Sequence, residues 1–305
     1  MKVRTPGKLF IVGEYAVLEK GEALLSPVEQ SAETEVTPSK KSLIISRAES
    51  ETVLDLSVAL QKLPLIGSIA AQLGQECFRH KEIILDTREF FRNNVKLGLG
   101  SSAALTIAAI KILEPFKSVP DMISLGRQCH NNFQKKKGSG ADIALSACGN
   151  PISFSQDNGA REIIFPENLH MLAIWSGVPQ STADMLAALE RWKEGNPIFY
   201  NNCIDELSLI SRECTRNIKH ADTTDFIENI IRYDSTLEKL SSLSGLGFYN
   251  QVHKKMRDRA LNAGLAYKPS GAGGGDFGIA FSHELGLLEK HRETLSGEGA
   301  YTFFL

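Results

Sequence analysis

The stretch Lys96-Leu97-Gly98-Leu99-Gly100-Ser101-Ser102-Ala103-Ala104 decides the fold, because it joins a glycine-rich turn to a long apolar segment. That segment predicts a buried helix from Ser101 to Leu113, which Pro115 ends. Glycines allow amide N–H groups to point inward, and a helix N-terminus adds partial positive charge. The stretch therefore predicts an anion site, with two serines able to cap the helix and one able to ligate Mg²⁺.

The residues of this turn leave three interpretations open. Ser101 could do no more than cap the helix. The spacing also matches the dinucleotide pattern G-x-G-x-x-A, although the preceding 91–96 segment is not the strongly apolar strand that this pattern requires. The third interpretation is a nucleoside triphosphate loop other than a Walker A motif, since Gly7-Lys8 lacks a following serine or threonine.

A second glycine-rich loop is predicted from Lys268 to Asp276, and it contains Ser270-Gly271-Ala272-Gly273-Gly274-Gly275-Asp276. An apolar strand at 277–281 follows at once, which argues against a flexible linker. Four glycines in five positions destabilise regular structure. The loop therefore predicts a close approach of the backbone to a ligand or to the first loop.

The order of elements predicts an α+β protein of two lobes, with residues 1–160 in the first and 161–305 in the second. Residues 7–18 favour a strand, a turn at Gly13-Glu14 and a second strand start. Residues 33–57 favour a strand meander. Helices are predicted near 65–78, 122–133 and 142, through most of 181–263, and at 284–295, among strands at 82–86, 152–154, 171–175, 277–281 and 301–305.

Composition excludes several classes of protein. The chain of 305 residues has a formal charge of −2, which disfavours a nucleic-acid partner. Its five cysteines are odd in number and contain no C-x-x-C pair, so neither a zinc site nor a disulfide framework is expected. No signal core and no apolar stretch of 18 residues is visible. We therefore expect a soluble, cytoplasmic protein without a membrane partner, as a monomer or homodimer.

Three segments in order carry a family resemblance: Pro6-Gly7-Lys8-Leu9-Phe10-Ile11-Val12-Gly13-Glu14-Tyr15, then 98–104, then 268–276. They resemble the three motifs of the GHMP kinases, and together they span nearly the whole chain. The resemblance implies an N-terminal lobe similar to the ribosomal S5 domain 2-like fold and a ferredoxin-like C-terminal lobe, with the site between them. It also implies ATP-dependent phosphoryl transfer to a small, phosphorylated acceptor.

Within the family, the chain resembles the bacterial-type phosphomevalonate kinases, which make mevalonate 5-diphosphate and ADP. Mevalonate kinases usually show histidine at Tyr15, proline at Lys96 and glycine at Asp276. The segment 175–182 also resembles the phosphomevalonate kinases. Two alternatives stay open, namely a mevalonate kinase and a catalytically silent GHMP-fold protein that senses a ligand.

The resemblance implies roles for individual residues. Lys8 would be the catalytic cation and Asp142 the catalytic carboxylate. ATP would be bound by Lys96, Gly98, Leu99, Gly100, Ser101, Ser102 and Ala103, with Ser102 as a Mg²⁺ ligand. The acceptor would be contacted by Glu14, Tyr15, Ser139, Ser181, Thr182, Ser270, Gly271, Ala272 and Gly273.

One departure from the family pattern concerns magnesium. Mevalonate kinases carry a glutamate about eleven residues before the aspartate, and Asn131, with His130 beside it, stands there in this chain. The lysines at 135–137 are expected to form a solvated loop that could also attract an anionic substrate.

Overall fold

The chain divides into two compact units in the computed structural model, which describes residues 1–19, 21–134 and 138–305. Unit 1 comprises residues 1–8 and 27–149, and unit 2 comprises residues 9–26 and 150–305. The predicted lysine run at 135–137 lies outside the described residues. The division differs from the one predicted at 160/161, because residues 9–26 are compact with the C-terminal half of the chain. Two long strands, β1 (Lys2–Val12) and β2 (Ala23–Pro38), each run through the division.

Unit 1 is built of helices packed on a sheet. In that sheet β4 (Glu51–Asp55) pairs with β3 (Leu43–Arg47), β3 runs parallel to β5 (Lys81–Asp86), and β5 pairs antiparallel with residues 33–38 of β2. A short hairpin, β6 with β7, precedes the glycine-rich turn. The elements are β3 (Leu43–Arg47), β4 (Glu51–Asp55), α1 (Leu56–Lys62), α2 (Pro64–Leu73), β5 (Lys81–Asp86), β6 (Phe91–Arg92), β7 (Val95–Lys96), α3 (Ser101–Leu113), α4 (Val119–Gln134) and α5 (Ala141–Cys148).

Helix α3 has the bounds predicted from the sequence and lies at the centre of unit 1. Nine of its thirteen residues are buried, which explains why its sequence is apolar on all sides. Gly126 of α4 lets the helices pack closely, because a Cβ there would lie within 3 Å of both Ile107 on α3 and Ile143 on α5. This packing places the N-termini of α3 and α5 in the same unit as Lys8.

Unit 2 contains an antiparallel sheet in the order β11 (Ala266–Ser270), β12 (Phe277–Ser282), β10 (His170–Trp175) and β13 (Thr302–Phe304), and its described residues also form five α-helices. Residues 23–25 of β2 pair with β8, and β8 pairs with β9. The elements are β8 (Ile152–Ser155), β9 (Gly159–Glu162), β10 (His170–Trp175), α6 (Thr182–Gly195), α7 (Pro197–Lys219), α8 (Thr223–Ser244), α9 (Gln251–Asn262), β11 (Ala266–Ser270), β12 (Phe277–Ser282), α10 (Leu285–Gly297) and β13 (Thr302–Phe304).

Two local predictions in unit 2 are wrong. Residues after the Gly13-Glu14 turn form a short 3-10 helix, Ala16–Glu19, instead of a strand. The predicted loop over 268–276 begins three residues later, because residues 268–270 pair with β12 as the end of β11. The mixture of helices and strands confirms the α+β fold class.

Among the described residues, no single helix has both the length and the apolar character needed to cross a membrane. Taken together, α1 and α2 have the length and composition of a membrane-spanning segment, but the two helices bend by 113° at their junction.

Candidate active site

The glycine-rich turn of unit 1 ends in two left-handed glycines. Gly98 has a φ of +76° and Gly100 a φ of +81°, and Gly100 is the N-cap of α3. The leucines at 97 and 99 are buried and anchor the turn. Ser101 is buried as the first residue of the helix. The turn therefore brings the chain sharply to the positive end of α3, as an anion site requires.

Lys8 lies directly against this turn. Its amide donates to the carbonyl of Leu99 over 2.8 Å. Its Cγ and Cε atoms each lie 3.2 Å from the position that a Cβ on Gly100 would take. A side chain at position 100 would therefore displace the lysine stem. The structure brings the predicted catalytic cation to the predicted phosphate-binding turn, and the absence of a Cβ at Gly100 makes the approach possible.

Ser102 is held by a histidine that sequence reasoning placed only beside the expected metal position. Ser102 Oγ and His130 Nε2 are 2.9 Å apart, and His130 is buried. The neighbouring Asn131 uses its Oδ1 to accept from the amide of Gly138 over 3.2 Å. Of these two residues on α4, the histidine is the one that reaches the serine.

Asp142 is the second residue of α5, in the first turn of that helix. Its Oδ1 accepts from the amide of Ile143 over 3.0 Å, and Ser139 Oγ accepts from the amide of Ala141 over 3.3 Å. The hydroxyl of Ser146 donates to the carbonyl of Pro6 over 3.1 Å, which fastens α5 to the chain two residues before Lys8. Both predicted catalytic residues therefore belong to unit 1.

Arg127 is a residue near this site that sequence reasoning missed. Its Nε lies 2.6 Å from where a Cβ on Gly140 would stand, so the arginine side chain runs across the N-cap of α5. Lys96 has a different setting, since it is exposed on β7 opposite Phe91. Its predicted contact with a phosphate stays a prediction.

In unit 2, the first motif segment is bonded to the third. Glu14 Oε1 lies 2.5 Å from Lys268 Nζ and 3.3 Å from the amide of Gly271. Tyr15 OH donates to the carbonyl of Ala272 over 2.5 Å, and burial together with Glu14 raises the pKa of that phenol. Both Glu14 and Tyr15 are buried and face the chain itself, so their role as acceptor contacts stays a prediction.

Tyr15 adopts a conformation that is rare for an aromatic residue. Its φ is +64°, in the left-handed region where a bulky side chain is strained. The bond to Ala272 and packing on the ring of Phe248, 5.1 Å away between centroids, hold it there. Strain of this kind persists only where surrounding contacts fix it, which ties this residue to the third motif segment.

The turn that follows β11 contacts neighbouring segments at both ends, but the side-chain face of its first residue, Gly271, is open. Ser270 Oγ donates to the carbonyl of Phe10 over 2.8 Å. A Cβ on Gly273 would lie 2.4 Å from the carbonyl of Phe248, whereas a Cβ on Gly271 would meet nothing within 4 Å. Both glycines have positive φ, which a side chain would strain, and the open face of Gly271 leaves room for a ligand. The turn suits the binding of an anion.

Asp276 fastens this turn to the segment that precedes α6. Its Oδ1 accepts from the amide of Gln180 over 3.0 Å, and its amide donates to the carbonyl of Val178 over 2.7 Å. Ser181 then caps α6 by accepting from the amide of Asp184 over 3.3 Å, and Thr182 begins that helix in an exposed position. The two predicted acceptor contacts on this helix thus lie next to the third motif.

Known proteins are similar to this chain in sequence and in fold. The family described as GHMP kinases N terminal domain matches residues 69–150, which include α3, α4 and α5. Over these residues the chain is similar to the GHMP kinases. It is 24% identical to phosphomevalonate kinase of Streptomyces sp. (strain CL190), an alignment that covers 90% of this chain and 88% of that protein.

The chain is also similar to the mevalonate kinase of Archaeoglobus fulgidus, with 26% identity over 90% of both chains. The structure of Streptococcus pneumoniae phosphomevalonate kinase in complex with phosphomevalonate and AMPPNP has the same fold. Its TM-score is 0.81 at 20% identity, and the match covers the whole of both chains. The predicted GHMP kinase fold is therefore confirmed.

Proposed function

We propose that this GHMP kinase transfers the γ-phosphoryl group of ATP to phosphomevalonate in the mevalonate pathway, giving mevalonate 5-diphosphate and ADP. The observation that carries the proposal is the placement of Lys8 against a left-handed glycine turn at the N-terminus of α3. Phosphoryl transfer is mostly positioning and charge stabilisation, and this turn with its lysine offers both. The relative from Streptomyces and the S. pneumoniae complex support the choice of acceptor.

Each predicted residue has a role in this proposal. The amides of 98–103 and the dipole of α3 would cradle the phosphates of ATP. Lys8 would stabilise charge on the transferred group, and Asp142 would orient the acceptor. The Gly271 amide is bonded to Glu14, and the rest of the turn at 271–273 offers backbone amides to an anionic acceptor. Lys96 would add positive charge from its exposed position.

The residues present fit a magnesium ion carried with the nucleotide. Mg²⁺ prefers oxygen ligands and keeps several waters, so one or two protein oxygens suffice beside the phosphates. The hydroxyl of Ser102 supplies one such oxygen, and His130 orients it. When bound, Mg²⁺ would neutralise phosphate charge. No group of three or more histidines, cysteines or acidic residues able to hold a metal occurs in the described part of the chain.

Mevalonate is the second candidate acceptor, and the 26% identity to the A. fulgidus mevalonate kinase favours it. The two enzymes differ in whether the acceptor group is a phosphate or a hydroxyl. A GHMP-fold ligand sensor, the third candidate, would turn over neither compound.

The test is a coupled assay of ADP release with phosphomevalonate, mevalonate and other GHMP kinase acceptors. We expect turnover with phosphomevalonate, and Lys8→Met and Asp142→Asn should each lower kcat by roughly 10²–10⁴-fold. Matched controls are Lys62→Met and Asp121→Asn, since Asp121 also lies in the first turn of a helix. Turnover of mevalonate alone would move the assignment to that acceptor, and no turnover with any acceptor would favour the sensor.

A further inference from the structure

A buried ion pair joins two motif segments of unit 2 that are 254 residues apart in the sequence. Lys268 Nζ lies 2.5 Å from Glu14 Oε1, with the lysine side chain fully buried and the glutamate side chain 3% exposed. Removing two charges from water costs about as much free energy as their attraction returns. The ion pair therefore adds little to the free energy of unfolding, and a role in function better explains charged residues at these two positions.

The geometry of the glutamate supplies that reason. Its Oε1 accepts both from Lys268 and from the amide of Gly271, while its Oε2 is buried without a hydrogen-bond partner among the described residues. The side chain is thus oriented through a single oxygen. Lys268 fixes this oxygen, which in turn fixes the first amide of the glycine turn.

The backbone of Glu14 is also fixed by a buried side chain. Tyr233 OH donates to the carbonyl of Glu14 over 2.6 Å, and Lys268 Nζ lies 5.8 Å from the centre of the Tyr233 ring. One buried tyrosine therefore contacts both partners of the ion pair. Gly271 itself has a φ of +84° and open space on its side-chain face, so nothing else packs against that face of the glycine.

We propose that Lys268 is a positioning residue for the acceptor: through Glu14 it holds the amide of Gly271, and with it the turn 271–273, in the conformation that binds the anionic acceptor. The proposal rests on the proposed function for the identity of that acceptor. Lys268 itself touches neither substrate, because it is fully buried beneath the turn.

The experiment compares Glu14→Gln, Lys268→Met and the double variant Glu14→Met/Lys268→Met. Glutamine keeps an oxygen that accepts from Gly271 but leaves the buried lysine without a charge partner, so Tm should fall, and KM for the acceptor should rise less than in the double variant. The double variant removes both charges and should regain most of the Tm lost in Lys268→Met. It leaves Gly271 without an acceptor, so its KM for phosphomevalonate should rise about tenfold, because small displacements of a binding group are costly.

The readouts are KM and kcat for each substrate, Tm, and hydrogen exchange at the Gly271 amide. Exchange should be slow in Glu14→Gln and faster in both the double variant and Lys268→Met, because Lys268→Met removes the partner that fixes Oε1 of Glu14. KM for ATP should not change in any of the three. Leu288→Ala is the control, because it removes core packing on α10 and lowers Tm without touching the pair.

Two outcomes overturn the proposal: a KM for the acceptor that follows Tm across all four variants, or equal exchange of the Gly271 amide in Lys268→Met and Glu14→Gln. A wild-type enzyme that turns over no acceptor contradicts the proposed function instead. In that case the Gly271 exchange rates still decide whether Lys268 holds the turn.

Discussion

At the scale of single residues, the bond between Ser102 and His130 is expected to set nucleotide affinity. His130→Ala leaves the serine hydroxyl free to rotate, and a lost hydrogen bond of this kind costs about 1 kcal/mol. We expect AMPPNP to bind roughly five- to tenfold more weakly by calorimetry. Asn132→Ala, on the exposed face of the same helix, is the control. Unchanged affinity in His130→Ala would mean that Ser102 does not contact the nucleotide.

In the sequence, Asp276 was one of the residues that favoured a phosphomevalonate kinase over a mevalonate kinase. In the structure, its contacts indicate that it stabilises the fold. It has a φ of +54° and accepts from the amide of Gln180. Asparagine tolerates the left-handed region and keeps an accepting oxygen, whereas alanine does neither. We expect Asp276→Ala to lower the free energy of unfolding by about 1–3 kcal/mol and Asp276→Asn to cost much less. Equal denaturant midpoints for the two variants would contradict this.

At the scale of elements, the junction between the glycine turn and α3 is expected to tolerate no side chain. In Gly100→Ala the positive φ strains the backbone, which should lower the stability. The new Cβ also contacts the aliphatic part of the Lys8 side chain and should displace it, which should lower kcat. Gly149→Ala is the matched control, since its φ of +84° is similar and a Cβ there meets nothing within 4 Å. Both variants should lose stability, by about 1 kcal/mol from backbone strain. A kcat that falls equally in both would show that Lys8 is not involved.

Helix α3 and strand β11 show which element bounds could be predicted from the sequence and which could not. The apolar run from Ser101 and the proline at 115 predicted the bounds of α3, because a buried helix and its breaker are local signals. Strand β11 was missed at its end, since four glycines dominated the pattern around residues 268–270 while the pairing that decides it comes from β12. Lys268 was read as part of a loop for the same reason, and its role depends on a partner far away in the chain.

At the scale of the whole molecule, connectivity was the hardest property to predict. The predicted division followed the order of the sequence, whereas two N-terminal strands pass from one compact unit into the other. The family motifs marked Lys8 and Asp142 as the catalytic residues, a role that stays a prediction, and both residues lie in unit 1. His130 and Arg127 were not predicted as site residues, since their contacts arise only when α4 packs beside α3 and α5.

Unit 2 carries two buried groups whose titrations should oppose each other. Burial raises the pKa of Asp234 from 3.8 to about 7, so the native state holds an extra proton between these values and its stability falls as the pH rises through them. Burial lowers the pKa of His253 from 6.5 to about 4, so the native state holds fewer protons there and its stability rises with pH. Between about pH 4 and 6.5 the two slopes have opposite signs.

Substituting one of the two residues should therefore leave only the other residue's contribution to the dependence of stability on pH. Asp234→Asn stays neutral at every pH, so its stability should rise from pH 4 to 6.5, with the His253 contribution fully present above that pH. His253→Gln should have a lower slope than the wild type up to about pH 6.5, so the slope of the wild type should lie between those of the two variants. Both tryptophans, Trp175 and Trp192, lie in unit 2, so denaturation followed by their fluorescence reports on this unit. Because each pKa unit corresponds to about 1.4 kcal/mol, slopes of this size are measurable, and parallel profiles for the three proteins would refute the assignment.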